Sequence, residues 1–321
     1  MTDPIVLLLF AAAFAFANGL NDGGALVATS MSVPSVPIWA AFVMLVLAVL
    51  VVPATVTVAV ATTLGQDLVN FGEVVGHLAL LAAIAASLAV VWLLTSRGLP
   101  TSLTLSLVGG LAGAGLGSGL PVSWSVLLKV LLLAAAAPLL AAVLAMLIWA
   151  IARSMPESGS LQRALARTHR VAFATQCLAY GLNDGQKMIA VVAIAFGLDV
   201  VTAARSPAPI ALIGVAFALG TAFGIRRVAR TVGAQLLPIR PLRAVVTETS
   251  AAATVIGTGL IGAPVSMTQS IVGGLVGTGV SAGSRRVRWA TISRLGLAWG
   301  LTLPLAFLAG ATLGFVGTVV R

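Results

Sequence analysis

Apolar stretches at residues 4–20, 36–64, 74–96, 122–152, 170–203, 207–225, 244–262 and 287–318 take up most of this 321-residue chain. A helix needs about 20 apolar residues to cross a bilayer. Inside hydrocarbon every backbone N–H and C=O must be bonded within the protein, so only helices and closed barrels can span. Barrel strands alternate in hydropathy over about 10 residues; these runs are longer and do not alternate. The chain reads as an all-α polytopic membrane protein with eight or more crossings and no room for a soluble domain. Composition agrees: 60% of residues are hydrophobic, 8% are charged and the mean hydropathy is +1.12. That is too little charge to cover a soluble protein of this size.

The formal net charge of +10 does not imply nucleic acid as a partner. The basic residues fall mostly in short connectors, at Arg153, Arg163, Arg167 and Arg170, then at Arg226, Arg227, Arg230, Arg240 and Arg243. This is the signature of cytoplasmic loops, with no aromatic interleaving that could stack bases. The lipid bilayer is the partner instead, and the cell membrane, in a bacterium the inner membrane, is the expected location. The start, Met-Thr-Asp-Pro, has no basic residue before its apolar run, which argues against a cleaved signal peptide. The single cysteine, Cys177, excludes an internal disulfide and reads as a small buried hydrophobe.

A duplication organises the chain. PTSLTLSLVGGLAGAGLGSG from Pro100 recurs as PVSMTQSIVGGLVGTGVSAG from Pro264, a shift of 164. About 80 residues upstream of each lies GLNDG, at Gly19–Gly23 and Gly181–Gly185, a shift of 162. Two homologous repeats are expected: residues 1–152, a cytoplasmic connector at 153–169, and residues 170–321. An odd number of crossings per repeat makes them inverted. Each passage opens on Pro, suited to a first helical turn. Hydroxyls that can cap free amides follow, then glycines that allow close helix packing. Broken or re-entrant helices meeting near the midplane are expected.

Asp22 and Asp184 each follow an Asn in apolar surroundings. A lone Asp in a span costs about 2.5–3.5 kcal/mol on insertion scales, so two symmetric copies point to ion coupling, with Na+ ligated or a proton carried there. The structural alternative is an Asp capping a broken helix, with Asn and Gly forming a turn. A helix N-terminus with free amides and hydroxyls suits an anion, which marks Ser102, Thr104, Ser266 and Thr268. Lys187 could complement that anion or pair with Asp184. Glu248 has no acidic counterpart, since the shift maps it onto Ile84. It is a candidate proton or cation site, or an acidic residue at a helix start beside Thr247. His77 and His169 are expected to be solvated at loop boundaries. GxxxxGK[ST] is absent, so no ATPase is expected. Nor is an enzyme: no Ser–His pairing, HExxH or metal cluster stands out.

At these residues the chain resembles the inorganic phosphate transporter (PiT, or phosphate permease) family, whose duplicated G-A-N-D signature is followed in each half by P-[VT]-S-T-T-H and glycines. Tyr180-Gly181-Leu182-Asn183-Asp184-Gly185-Gln186-Lys187 is similar to the bacterial H-G-A-N-D-G-Q-K form. Glu248-Thr249-Ser250-Ala251-Ala252 leading to Pro264-Val265-Ser266 is similar too. The resemblance implies secondary transport of inorganic phosphate by Na+ or H+ symport through alternating access, on inverted repeats. It implies ion and phosphate binding at Asn21, Asp22, Asn183 and Asp184, with Ser102, Thr104, Ser266 and Thr268 lining the phosphate site. The chain departs from the pattern at Leu20 and Leu182 in place of Ala, and at Ala25 in place of Asn. Leu103 and Met267 replace the first Thr, and Leu105 and Gln269 replace His. Sulfate or another oxyanion on the same scaffold stays open, as do a passive anion channel and a homodimer.

Overall fold

The computed structural model describes residues 4–30, 33, 35–71, 74–97, 99, 101–154, 161–228, 241–284 and 287–320. Pro100, Arg230, Arg240, Arg285 and Arg286 lie outside them. The described elements are helical, save an isolated bridge between Val69 and Val122. The first repeat runs α1 (Pro4–Asn18), a π-turn (Gly19–Gly23), α2 (Gly24–Ser30), α3 (Ile38–Thr55) and α4 (Ala59–Thr62). A second π-turn (Thr63–Asp67), α5 (Val74–Ser96), α6 (Leu103–Gly117) and α7 (Trp124–Ser154) follow. The second runs α8 (Leu161–Tyr180), a π-turn (Gly181–Gly185), α9 (Gln186–Phe196), α10 (Val200–Arg205) and α11 (Pro207–Val228). It ends with α12 (Pro241–Leu260), α13 (Met267–Ser281) and α14 (Trp289–Val319).

The duplicated passages form the inner arms of two helical hairpins. Ser106 Oγ donates to the Ser87 carbonyl at 2.8 Å, and Gly110 lies against Ala83, so α5 and α6 are antiparallel. The hairpin tips end inside the protein and touch: Thr104 Oγ1 donates to the Val265 carbonyl at 3.3 Å. At 15 residues, α6 is about 22 Å long, shorter than a hydrocarbon core of about 30 Å. Its residues from Leu103 to Gly115 are all buried. Such an arm is apolar because protein surrounds it, not because lipid does.

Six described helices are long and apolar enough to cross, α5 among them, where the sequence reading expected eight or more crossings. Since α5 turns back through α6, three crossings remain in the first repeat: α1–α2, α3 continued by α4 and its π-turn, and α7. In the second repeat α8–α9, joined through a π-turn, takes the place of α1–α2, and α11 and α14 are long and apolar enough to cross.

The two repeats exchange partners. Gly109, Gly113 and Gly117 of α6 face the carbonyls of Leu303, Phe307 and Ala311 of α14 in order. Gly273 and Gly277 of α13 face those of Pro138 and Ala142 of α7. Each re-entrant arm is thus held by the last long helix of the other repeat. The π-turns follow the same rule: Gly19 lies against Phe217 of α11, and Gly181 against Ala48 of α3. A β-carbon at any of these glycines would collide with backbone, and small residues are what let membrane helices approach so closely.

Gly277→Leu is therefore expected to lower the thermal midpoint of the detergent-purified protein, overpacking costing about 1–3 kcal/mol. Gly257→Ala in α12, where a β-carbon meets nothing within 4 Å, should leave it unchanged or raise it.

Candidate functional site

The GLNDG motifs do not break their helices. In each, one extra residue widens the helix into a π-turn, with the Gly24 amide donating to the Gly19 carbonyl in the first. Such bulges recur at functional sites. The reading of Asp22 and Asp184 as caps of broken helices is corrected accordingly: both sit within continuous helices, 2% and 1% exposed. The break occurs instead between α3 and α4, at residues 56–58. There Gln186 Oε1 accepts from the freed amides of Val60 at 2.7 Å and Ala61 at 3.1 Å. Gln186 follows the Asn-Asp pair in an apolar run, the one signal in the sequence that marks it.

Lys187 binds the centre together. It is 1% exposed, and its ammonium donates to Asp184 Oδ1 at 2.7 Å, to Thr104 Oγ1 at 2.6 Å and to the Val265 carbonyl. A lysine has three N–H donors, and all three are used. Pairing with Asp184, one of the two roles considered for Lys187, is present in the structure. Asn183 Nδ2 donates to the Ala263 carbonyl at 3.0 Å, fixing the second tip against its π-turn. Ser102 and Ser266 cap α6 and α13, accepting from Leu105 N at 3.3 Å and Gln269 N at 3.4 Å. Ser266 and Thr268 share a 2.8 Å hydrogen bond.

Asp22 differs. Its Oδ1 accepts from Asn21 Nδ2 at 3.1 Å, and the charges of Asp184 and Lys187 act on it. Among the described residues, no cationic side chain pairs with it. Two carboxylates thus share the centre with one ammonium. Asp184 Oδ2, Asn183 Oδ1, Tyr180 Oη, Thr101 Oγ1 and Gln269 Oε1 are buried without hydrogen-bond partners among the described residues. This is a polar centre with bonding capacity to spare. A small cleft lined by Thr63, Asp67, Val126, Lys129, Gly262 and Ala263 leads to the tip that Asn183 holds.

Glu248 meets His169 rather than Lys187. It lies inside α12, seven residues after its start, which rules out the helix-start reading. Its Oε1 is 3.3 Å from His169 Nε2, and Ser35 Oγ contacts His169 Nδ1. His169 is fully buried, not solvated. Arg243 is buried too, standing over the Trp149 ring rather than in a loop. The Ser–His contact joins residues 134 apart, a separation at which spacing carries no signal. Cys177 is buried, as expected.

The model of the phosphate transporter family matches residues 18–174 and again 154–310. The chain belongs to the phosphate transporter family. It is a multi-pass membrane transporter rather than an enzyme. A probable low-affinity inorganic phosphate transporter of Mycobacterium leprae is 34% identical, the match covering 96% of this chain and 76% of that one. One of the same description from Bacillus subtilis is 29% identical, with 97% and 96% covered. Among solved structures, one described as "The sodium-dependent phosphate transporter" matches over the full length of both chains, with a TM-score of 0.80 at 20% identity. That likeness establishes the fold of this transporter.

Breaking the central pair from one side leaves an uncompensated buried charge, at a cost of about 3–5 kcal/mol. Asp184→Asn should therefore depress the thermal midpoint strongly, while Asp184→Asn with Lys187→Gln should recover much of the loss. Thermal unfolding of the four proteins forms a double-mutant cycle; additive losses would show that the pair is not coupled.

Proposed function

We propose that this transporter imports inorganic phosphate in symport with a cation, Na+ first, by alternating access. The observation that carries the reading is the meeting of two helix N-termini, α6 and α13, beside two buried carboxylates. Each N-terminus presents free amides and about half a positive charge, which suits an oxyanion. Ser102 and Ser266 use their oxygens as acceptors in capping, which leaves the Ser102 O–H free to donate. The Ser266–Thr268 pair shares one proton between its two oxygens and keeps another to give. Asn21 and Asn183 orient the carboxylate and the tip.

Singly or doubly ionised phosphate offers an O–H donor that sulfate lacks, and an adjacent carboxylate acceptor distinguishes the two. Asp22 is the acceptor in this reading. The sodium dependence named for the fold relative supports Na+ as the ion. Carboxylate, hydroxyl and carbonyl oxygens are the ligands a hard cation takes. A cation beside Asp22 lowers the electrostatic cost of bringing phosphate into the bilayer, which makes coupling obligatory. The two hairpins contact each other through small tips, and rocking of one bundle against another, each drawing elements from both repeats, opens the centre alternately to each side.

The test is uptake of radiolabelled phosphate into proteoliposomes under imposed Na+ or H+ gradients, with excess sulfate as competitor. Na+-driven uptake that sulfate leaves intact is expected, and Asp22→Asn should lower it by about tenfold or more. Full competition by sulfate, or uptake indifferent to both gradients, would overturn the reading.

A further inference from the structure

We propose that Lys187 is a built-in cation that permanently fills the second repeat's ion position, so that this transporter binds a single free cation, at Asp22. The inference rests on the symport reading above and refines its stoichiometry.

Lys187 Nζ is held by a carboxylate oxygen of Asp184, the hydroxyl of Thr104 and the backbone carbonyl of Val265. One ligand comes from its own repeat's π-turn, one from the opposite hairpin arm and one from its own hairpin tip. Three converging oxygens of these kinds form a site for a hard cation. An ammonium on a four-carbon stem is a compact point charge that can take the same place.

The duplication identifies what stands in the other half. The 162-residue shift maps Asp184 onto Asp22, and the 164-residue shift maps Thr104 onto Thr268 and Val265 onto Thr101. The counterpart oxygens are therefore the Asp22 carboxylate, the Thr268 hydroxyl and the Thr101 carbonyl. Lys187 maps, by 187 − 162 = 25, onto Ala25, whose methyl carries no charge. The chain's other lysine is Lys129, which lines the cleft beside Asp67. By sequence position every ligand type recurs, with Thr268 Oγ1 hydrogen-bonded to Ser266, and the tethered cation is missing.

The burial of Asp22 and its lack of a cationic partner support a cation at the first position. Asp22 is 2% exposed with no ion-pair partner among the described residues. The centre holds two carboxylates and one ammonium, which leaves one carboxylate for one monovalent cation. In the second repeat the same carboxylate is already neutralised, and all three Lys187 donors are committed. A second free cation could enter there only by displacing a tethered ammonium.

The test counts bound ions directly. Equilibrium binding of radiolabelled Na+ to detergent-purified protein should give one ion per chain for the wild type. Lys187→Ala should bind two, because the vacated oxygens accept an ion, and its thermal midpoint should become more Na+-dependent than the wild type's. Ala25→Lys should bind none, its new ammonium filling the first position. Ala25→Lys keeps the test decisive if Lys187→Ala is not monodisperse on gel filtration. A Lys187→Ala protein that binds the same number of Na+ as the wild type overturns the proposal, as does an Ala25→Lys protein that still binds one. The symport reading fails by a different measurement, phosphate uptake that ignores the cation gradient, so the two failures are distinguishable.

Discussion

Everything at the centre of this transporter depends on one buried ammonium. Lys187 touches the second π-turn through Asp184, the first hairpin through Thr104 and the second hairpin through Val265. It joins three segments that the chain places far apart. A charge this deep is tolerated only when paired and fully hydrogen-bonded, so those segments must arrive in register or the fold is heavily penalised. The same ion pair makes the centre stiff at one carboxylate and leaves the other available.

The exchange of partners between repeats follows from a similar constraint. A re-entrant arm of 15 residues cannot cross the bilayer, and its ends would be unsatisfied in lipid. Burial by the opposite repeat's 31-residue helix solves this for both arms at once. Glycine at the contacts lets the helices approach until backbone meets backbone. Neither hairpin belongs to a self-contained half: each packs along the last long helix of the other repeat, and the two hairpins touch each other at their tips.

Much of this was legible in the residues. The repeats, the paired Asn-Asp motifs and the capping serines could be read from spacing, because two local patterns recurring in the same order at nearly one offset rarely arise except by duplication. The re-entrant passages were recognisable by Pro, hydroxyls and glycines in sequence. Crossing number was not, because hydropathy cannot tell an arm buried by protein from a span buried by lipid. His169 and Arg243 were misplaced for a related reason: a polar residue near an expected loop looks solvated until its partners, Glu248 and Trp149, are seen. Gln186 was missed because the amides it satisfies lie more than 120 residues away.

By itself the sequence determined the class, the duplication and the kinds of chemical group available, since these depend on composition and on intervals along the chain. Only the tertiary structure decided what each group faces. Lys187 could have met an anion or Asp184, and which it met depends on where Thr104 and Val265 arrive from another repeat and another loop. Asp22 and Asp184 are alike in their local sequence and differ in their surroundings. That difference is electrostatic, set by a single side chain at one position of the repeat and by its absence at the other.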